Sequence, residues 1–137
     1  MIRFFSEDIE MPAISQPLLI DWIRQVIARH GKTSGEINYI FCSDQRMIET
    51  NRTFLQHDYF TDIITFDYTV ALQLSGDIYI SLETVASNAQ LLGSSYQNEL
   101  NRVIIHGILH LCGFKDKTPE DASRMRELED EALSLLN

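Results

Sequence analysis

The sequence has only two cysteines, Cys42 and Cys112, in 137 residues, too few for a disulfide framework. Its opening residues, MIRFFSEDIE, show no basic segment followed by an apolar run, so no secretory leader is expected. No apolar stretch approaches the roughly 18 residues of a membrane span, and no membrane partner is expected. Internal repeats, low-complexity tracts and linkers are missing, which points to one domain over residues 1–137. These absences together fit a cytoplasmic protein in a reducing compartment. Positive charge is scarce as well: 11 Lys and Arg stand against 20 Asp and Glu, for a net charge of -9. That argues against nonspecific nucleic-acid binding by the charge of the whole surface, although a local basic cleft remains open.

Hydrophobic residues, by contrast, make up 45% of the chain, enough for a core without covalent or metal staples. Any metal is then expected to be catalytic rather than structural. Ile2–Phe5 suits an opening strand. Ser15 to His30 carries Leu18, Leu19, Trp22, Ile23, Val26 and Ile27 at helical spacing, ended by Gly31. Glu36–Cys42, Ile63–Asp67 and Asp77–Ser81 read as strands, with Val70–Ser75 either a loop or an edge strand. Ser43 or Asp44 caps a helix bearing Met47, Ile48 and Phe54. Leu82–Leu92 reads as a helix ended by Gly93, and about Tyr96 to Cys112 as a longer one ended by Gly113. In the last helix Thr118 is the N-cap, Pro119 the first helical residue and Asp121 the partner in a capping-box-like pair. Met125, Leu128, Ala132 and Leu135 then share its apolar face. The class is α+β, or mixed α/β.

The chemistry concentrates in Val103 to Lys117, VIIHGILHLCGFKDK. His106 and His110 are four apart, so a helix places both imidazoles on one face, one turn apart. A lone histidine on an apolar helix is normally a core residue with a satisfied hydrogen bond. Two of them amid Val103, Ile104, Ile105, Leu109 and Leu111 need two buried partners, and one metal ion serves both. Gly113 allows the left-handed turn that ends a helix, after which Asp116 reaches the open side of the pair. Two histidines and one carboxylate leave coordination positions free, as a catalytic site requires. Cys112 and Cys42 read as core residues rather than ligands, and nothing calls for an organic cofactor.

The spacing H-x-x-x-H-x-x-G-x-x-D approaches the metzincin protease pattern, yet Gly107 stands where that pattern has its glutamate base. HGILHLCGF instead resembles the signature of the YbeY endoribonuclease family, H-G-x-L-H-L-x-G-[YFW]-D-H. Asp58 to Phe66, DYFTDIITF, resembles that family's D-x-P-T-D-V-L-S-F segment, and Ser75–Ser81 its G-D-I-x-I strand. Asn51 falls where the family places a helix-borne asparagine. The resemblance runs from Asn51 to Asp116. It implies a zincin-like fold, a small mixed sheet of about four strands packed with about five helices. It also implies a zinc-dependent, single-strand-specific endoribonuclease that matures the 3′ end of 16S ribosomal RNA and serves ribosome quality control. The implied partners are single-stranded RNA and the small ribosomal subunit or its associated proteins.

Three positions depart from the family pattern. Asp116 replaces the third histidine ligand, Lys115 the aspartate before it, and Leu55 an arginine. Asp also ligates zinc, and a set of two histidines and one carboxylate suits iron or nickel too. His106, His110 and Asp116 are therefore the expected catalytic centre, acting through metal-activated water. His57 and Arg52 are the candidates to replace the missing arginine. Arg102, four residues before His106, is a candidate for positive charge at the metal, and so are Lys115 and Lys117, whose ordinary role is solvated charge. Thr61 and Asp62 either orient substrate or form a turn before a strand. Two other readings stay open. One is a metal-dependent peptidase or other hydrolase, with a base such as Asp62 or Asp77. The other is a noncatalytic, ribosome-associated metal-binding module.

Overall fold

The computed structural model describes residues 1–55 and 61–136. Its elements are β1 (Ile2–Ser6), α1 (Gln16–Arg29), β2 (Thr33–Cys42), α2 (Asp44–Thr50) with a π-helical turn at Asn51–Leu55, β3 (Ile63–Asp67), β4 (Gln73–Ser81), α3 (Leu82–Leu92), α4 (Tyr96–Leu111) and α5 (Pro119–Leu136). The four strands form one mixed sheet in the order β1-β2-β4-β3. β1 and β4 run parallel to β2, while β3 returns antiparallel to β4. Four strands with five helices is the α+β arrangement that the sequence implies.

Side chains alternate across the sheet, as the two-residue period of a strand requires. Ile37, Tyr39 and Phe41 of β2 and Ile78 and Ile80 of β4 join the main core with α1, α4 and α5. Ile64, Phe66 and Tyr79 point to the other face, where Met47 of α2 meets them. Two polar ties cross the main core: the Tyr39 hydroxyl donates to the Ile104 carbonyl at 2.8 Å, and the Trp22 indole to the Ala132 carbonyl at 2.8 Å. Both give a buried donor its partner and fix α4 and α5 against the rest.

Gly107 sets how closely α4 approaches the sheet. A Cβ there would stand 3.0 Å from the Ile78 side chain and 3.2 Å from that of Ile63. The position reserved for a base in metalloproteases is therefore packed against β3 and β4, and the peptidase reading loses its usual geometry.

Several boundaries differ from the sequence reading. β2 begins at Thr33, and its register with β4 shifts between Ser34 and Ile37. β4 begins at Gln73, so Val70–Ser75 divides between a tight turn and a strand. Val70 and Gln73 exchange two backbone hydrogen bonds around Ala71, whose φ is 54°. The α2 helix gives way to the π turn at Asn51, which buries Asn51 and leaves Phe54 exposed. On α5, Leu133 rather than Leu135 completes the fully buried stripe. Thr118 caps α5 by accepting from the Asp121 amide at 3.1 Å, as expected.

Candidate metal centre and its cleft

α4 runs through the core with Leu100, Val103, Ile104, Gly107, Ile108 and Leu111 buried. Its remaining face carries Arg102, His106 and His110 into a cleft of about 820 Å³. The helix ends in a Schellman closure: the Gly113 amide donates to the His110 carbonyl at 2.9 Å and the Phe114 amide to the Leu109 carbonyl at 3.1 Å. Gly113 takes φ 103°, a backbone conformation that side-chain-bearing residues rarely adopt. This reversal brings Asp116 back to the histidines. Its Oδ2 lies 3.2 Å from His106 Nε2 and 3.4 Å from His110 Nε2. One ligand atom from each of the three residues falls within 4.8 Å of the others, so the group can hold a metal ion.

A fourth residue completes the arrangement. Glu129 of α5 places Oε2 2.6 Å from His106 Nδ1. Both nitrogens of His106 thus face carboxylate oxygens, whereas a neutral imidazole has one proton to offer. Without a metal, the ring satisfies both only as an imidazolium. With a metal at Nε2, the neutral ring donates Nδ1–H to Glu129, the usual outer partner of a metal-bound histidine. The donor set therefore fits a cation. Glu129 is itself held: Arg102 donates to its Oε1 at 2.9 Å and to Asp130 at 2.7 Å.

Electrostatics separate the two histidines. Burial opposes a charge on His106, but the hydrogen bond it donates to Glu129 and the charges of Glu129, Asp116 and Asp62 outweigh it and raise its pKa. Burial and the neighbouring His106 lower that of His110. Burial would raise Glu129, yet its bonds to His106 and Arg102 hold it below the ordinary glutamate value. Asp62 and Glu99 go the other way, raised first by burial. The Cys42 and Cys112 thiols are pushed up to about 12 and about 11 by burial, which keeps them protonated and away from metal chemistry.

The other nominated residues divide. Thr61, Asp62, Arg102 and Lys117 line the cleft. Lys115 is exposed and is not among the lining residues. Arg52 lies in the π turn, where its neighbour Asn51 lines the cleft. His57 and Asp58 lie outside the described residues, as does the side chain of Leu55. Asp77 of β4 accepts from Asn38 at 3.1 Å and does not line the cleft. The sequence reading missed Glu129, Glu99 and Arg126, all three at the cleft. One signal was present for Glu129: it interrupts the apolar stripe Met125, Leu128, Ala132 and Leu133 with a carboxylate.

Among the described lining residues, five carboxylates (Asp62, Asp67, Glu99, Asp116 and Glu129) face three cations (Arg102, Lys117 and Arg126). By its described side chains alone, the cleft is not basic.

An α+β domain with a helix-borne histidine pair, a returning carboxylate and an open cleft belongs to the class of metal-site hydrolases. Residues 4–137 match the family model described as Endoribonuclease YbeY. Among curated relatives, an Endoribonuclease YbeY of Parabacteroides distasonis is 52% identical over 135 residues, covering 98% of this chain and 95% of that protein. That of Flavobacterium johnsoniae is 45% identical over 133 residues, covering 97% and 96%. The chain belongs to the Endoribonuclease YbeY family. Its fold is also similar to the solution structure of TM1509 from Thermotoga maritima, with a TM-score of 0.67 and 27% identity over 98% of this chain and 90% of that one.

Proposed function

We propose that the protein is an endoribonuclease of ribosomal RNA processing that cuts single-stranded RNA with a zinc ion held by His106, His110 and Asp116. The observation that carries this reading is the convergence of those three side chains in the open cleft of a chain that belongs to the Endoribonuclease YbeY family. When bound, the ion supplies positive charge to phosphoryl oxygens and acidifies a water toward neutral pH.

The chain's own residues set up that chemistry. Glu129 holds the Nδ1 proton of His106 and so leaves Nε2 free to ligate. Arg102 fixes Glu129 rather than contacting substrate, because its guanidinium already meets two carboxylates. Asp62 lines the same cleft, where burial raises its pKa and the charge of His106 opposes that rise. Thr61, beside it at the entry to β3, borders the same cleft. Family membership supports a cytoplasmic setting and a partnership with the small ribosomal subunit or its associated proteins.

The test is cleavage of single-stranded and duplex ribosomal RNA fragments by zinc-loaded protein, beside His106→Ala, His110→Ala and Asp116→Ala. The expected result is cutting confined to single strands, with metal and cutting lost together in folded variants. Intact RNA in the presence of folded, zinc-loaded wild type overturns the reading.

A further inference from the structure

The nuclease reading leaves an electrostatic problem. The protein is strongly acidic, and among the described residues its cleft has more carboxylates than cations. Of the three cations there, Arg102 is engaged: its side chain is only 13% exposed, and it pairs with Glu129 at 2.9 Å and Asp130 at 2.7 Å. Lys117 and Arg126 differ. Both are exposed, both line the cleft, and neither forms an ion pair among the described residues. Lys117 directly follows the ligand Asp116. Arg126 lies three residues before Glu129 on α5, about 4.5 Å of helix rise from the side chain that touches His106. Its charge acts on Glu99, a buried carboxylate of the same cleft.

We infer that Arg126 and Lys117 form the phosphate-binding subsite of this cleft, gripping the RNA backbone beside the phosphate that is cut. The inference rests on the RNA-cleaving reading above and adds the residues that position its substrate. Arg126 suits the role because a guanidinium offers paired donors to a phosphate, while a lysine contributes a point charge. Each phosphate contact to a single strand contributes a slope of about -0.7 in log K against log salt, so these two side chains together should account for roughly -1.4 of the wild-type slope.

The experiment uses metal-loaded protein and a 2′-O-methyl single-stranded RNA, with binding followed by fluorescence anisotropy from low to moderate salt. Steady-state cleavage of unmodified RNA and metal content are measured beside it. Arg126→Ala should weaken binding about 10-fold and bring the salt slope toward zero by about 0.7, with KM raised and kcat and metal content unchanged. Arg126→Lys should keep the slope while binding less tightly than wild type. Arg124→Ala is the control, because Arg124 sits on the same helix outside the cleft, paired with Glu127 at 3.4 Å, and it should change nothing. If Arg126→Ala binds with wild-type affinity and slope while wild type still cuts RNA, this inference falls and the nuclease reading stands. If Arg124→Ala loses as much as Arg126→Ala, the effect is general charge and the subsite falls too. If wild type neither binds nor cuts RNA, both readings fall.

Discussion

The two faces of α4 follow different rules. The face toward the sheet is apolar and closely packed, with Ile104, Ile105 and Ile108 fully buried and Gly107 set where even one methyl group crowds Ile78. The face toward the cleft carries Arg102, His106 and His110, whose partners come from outside the helix. One face holds the fold and the other holds the chemistry, one residue apart in sequence at His106 and Gly107. The lesson is that the histidines are exact in position because the opposite side of their helix cannot shift.

That contrast breaks most severely at Gly107. Gly107→Glu would drive an unpaired carboxylate into the packed interface with β3 and β4. Overpacking and burial of a charge together rival the ~5–15 kcal/mol margin of a typical domain. The expected outcome is no cooperative thermal transition. Gly107→Ala, which asks flexible isoleucine ends to give by a few tenths of an ångström, should cost about 1–3 kcal/mol in chemical denaturation.

On the cleft face the same size of change should leave the fold and remove function. Glu129→Ala frees His106 Nδ1 from its carboxylate and should weaken metal binding ~10–100-fold in a competition titration, with the far-ultraviolet spectrum unchanged. Glu129→Gln, which keeps an acceptor for Nδ1–H but loses the charge, should fall between. If both variants bind metal as wild type does, Glu129 does not position His106.

The smallest effect is expected far from α4. Asp8 accepts from both the amide and the hydroxyl of Ser43, the N-cap of α2, and chiefly that hydroxyl bond holds its pKa below 3.8. A carboxyl lowered by folding contributes stability above its unfolded value and loses it as pH falls through the folded one. Asp8→Asn should therefore lower the urea midpoint slightly at pH 6, and the gap from wild type should close below about pH 3.8. A gap that widens on acidification would contradict this assignment.

Local signals were legible in the sequence and long-range ones were not. The apolar stripe of α4, the histidine pair and the Gly113 reversal all lie within 14 residues, and spacing alone locates them. The third candidate ligand, Asp116, follows from that reversal. Glu129 lies 23 residues beyond His106, and only the packing of α5 against α4 brings them together. Arg102 shows the same limit: spacing placed it on the histidine-bearing face, but its two carboxylate partners come from α5. The early starts of β2 and β4 escaped because Ser34, Gly35 and Gln73 lack the apolar alternation that marks a strand, although Leu74 is fully buried.

The most direct test of the account removes the metal and returns it. Protein stripped by a chelator should keep its fold and its cooperative melting transition and should leave single-stranded ribosomal RNA uncut. One equivalent of zinc per chain should restore cutting in wild type but not in Asp116→Ala. Stripped, folded protein that still cuts RNA would contradict the central claim, and so would a chain that unfolds when the metal leaves, since its metal would then be structural.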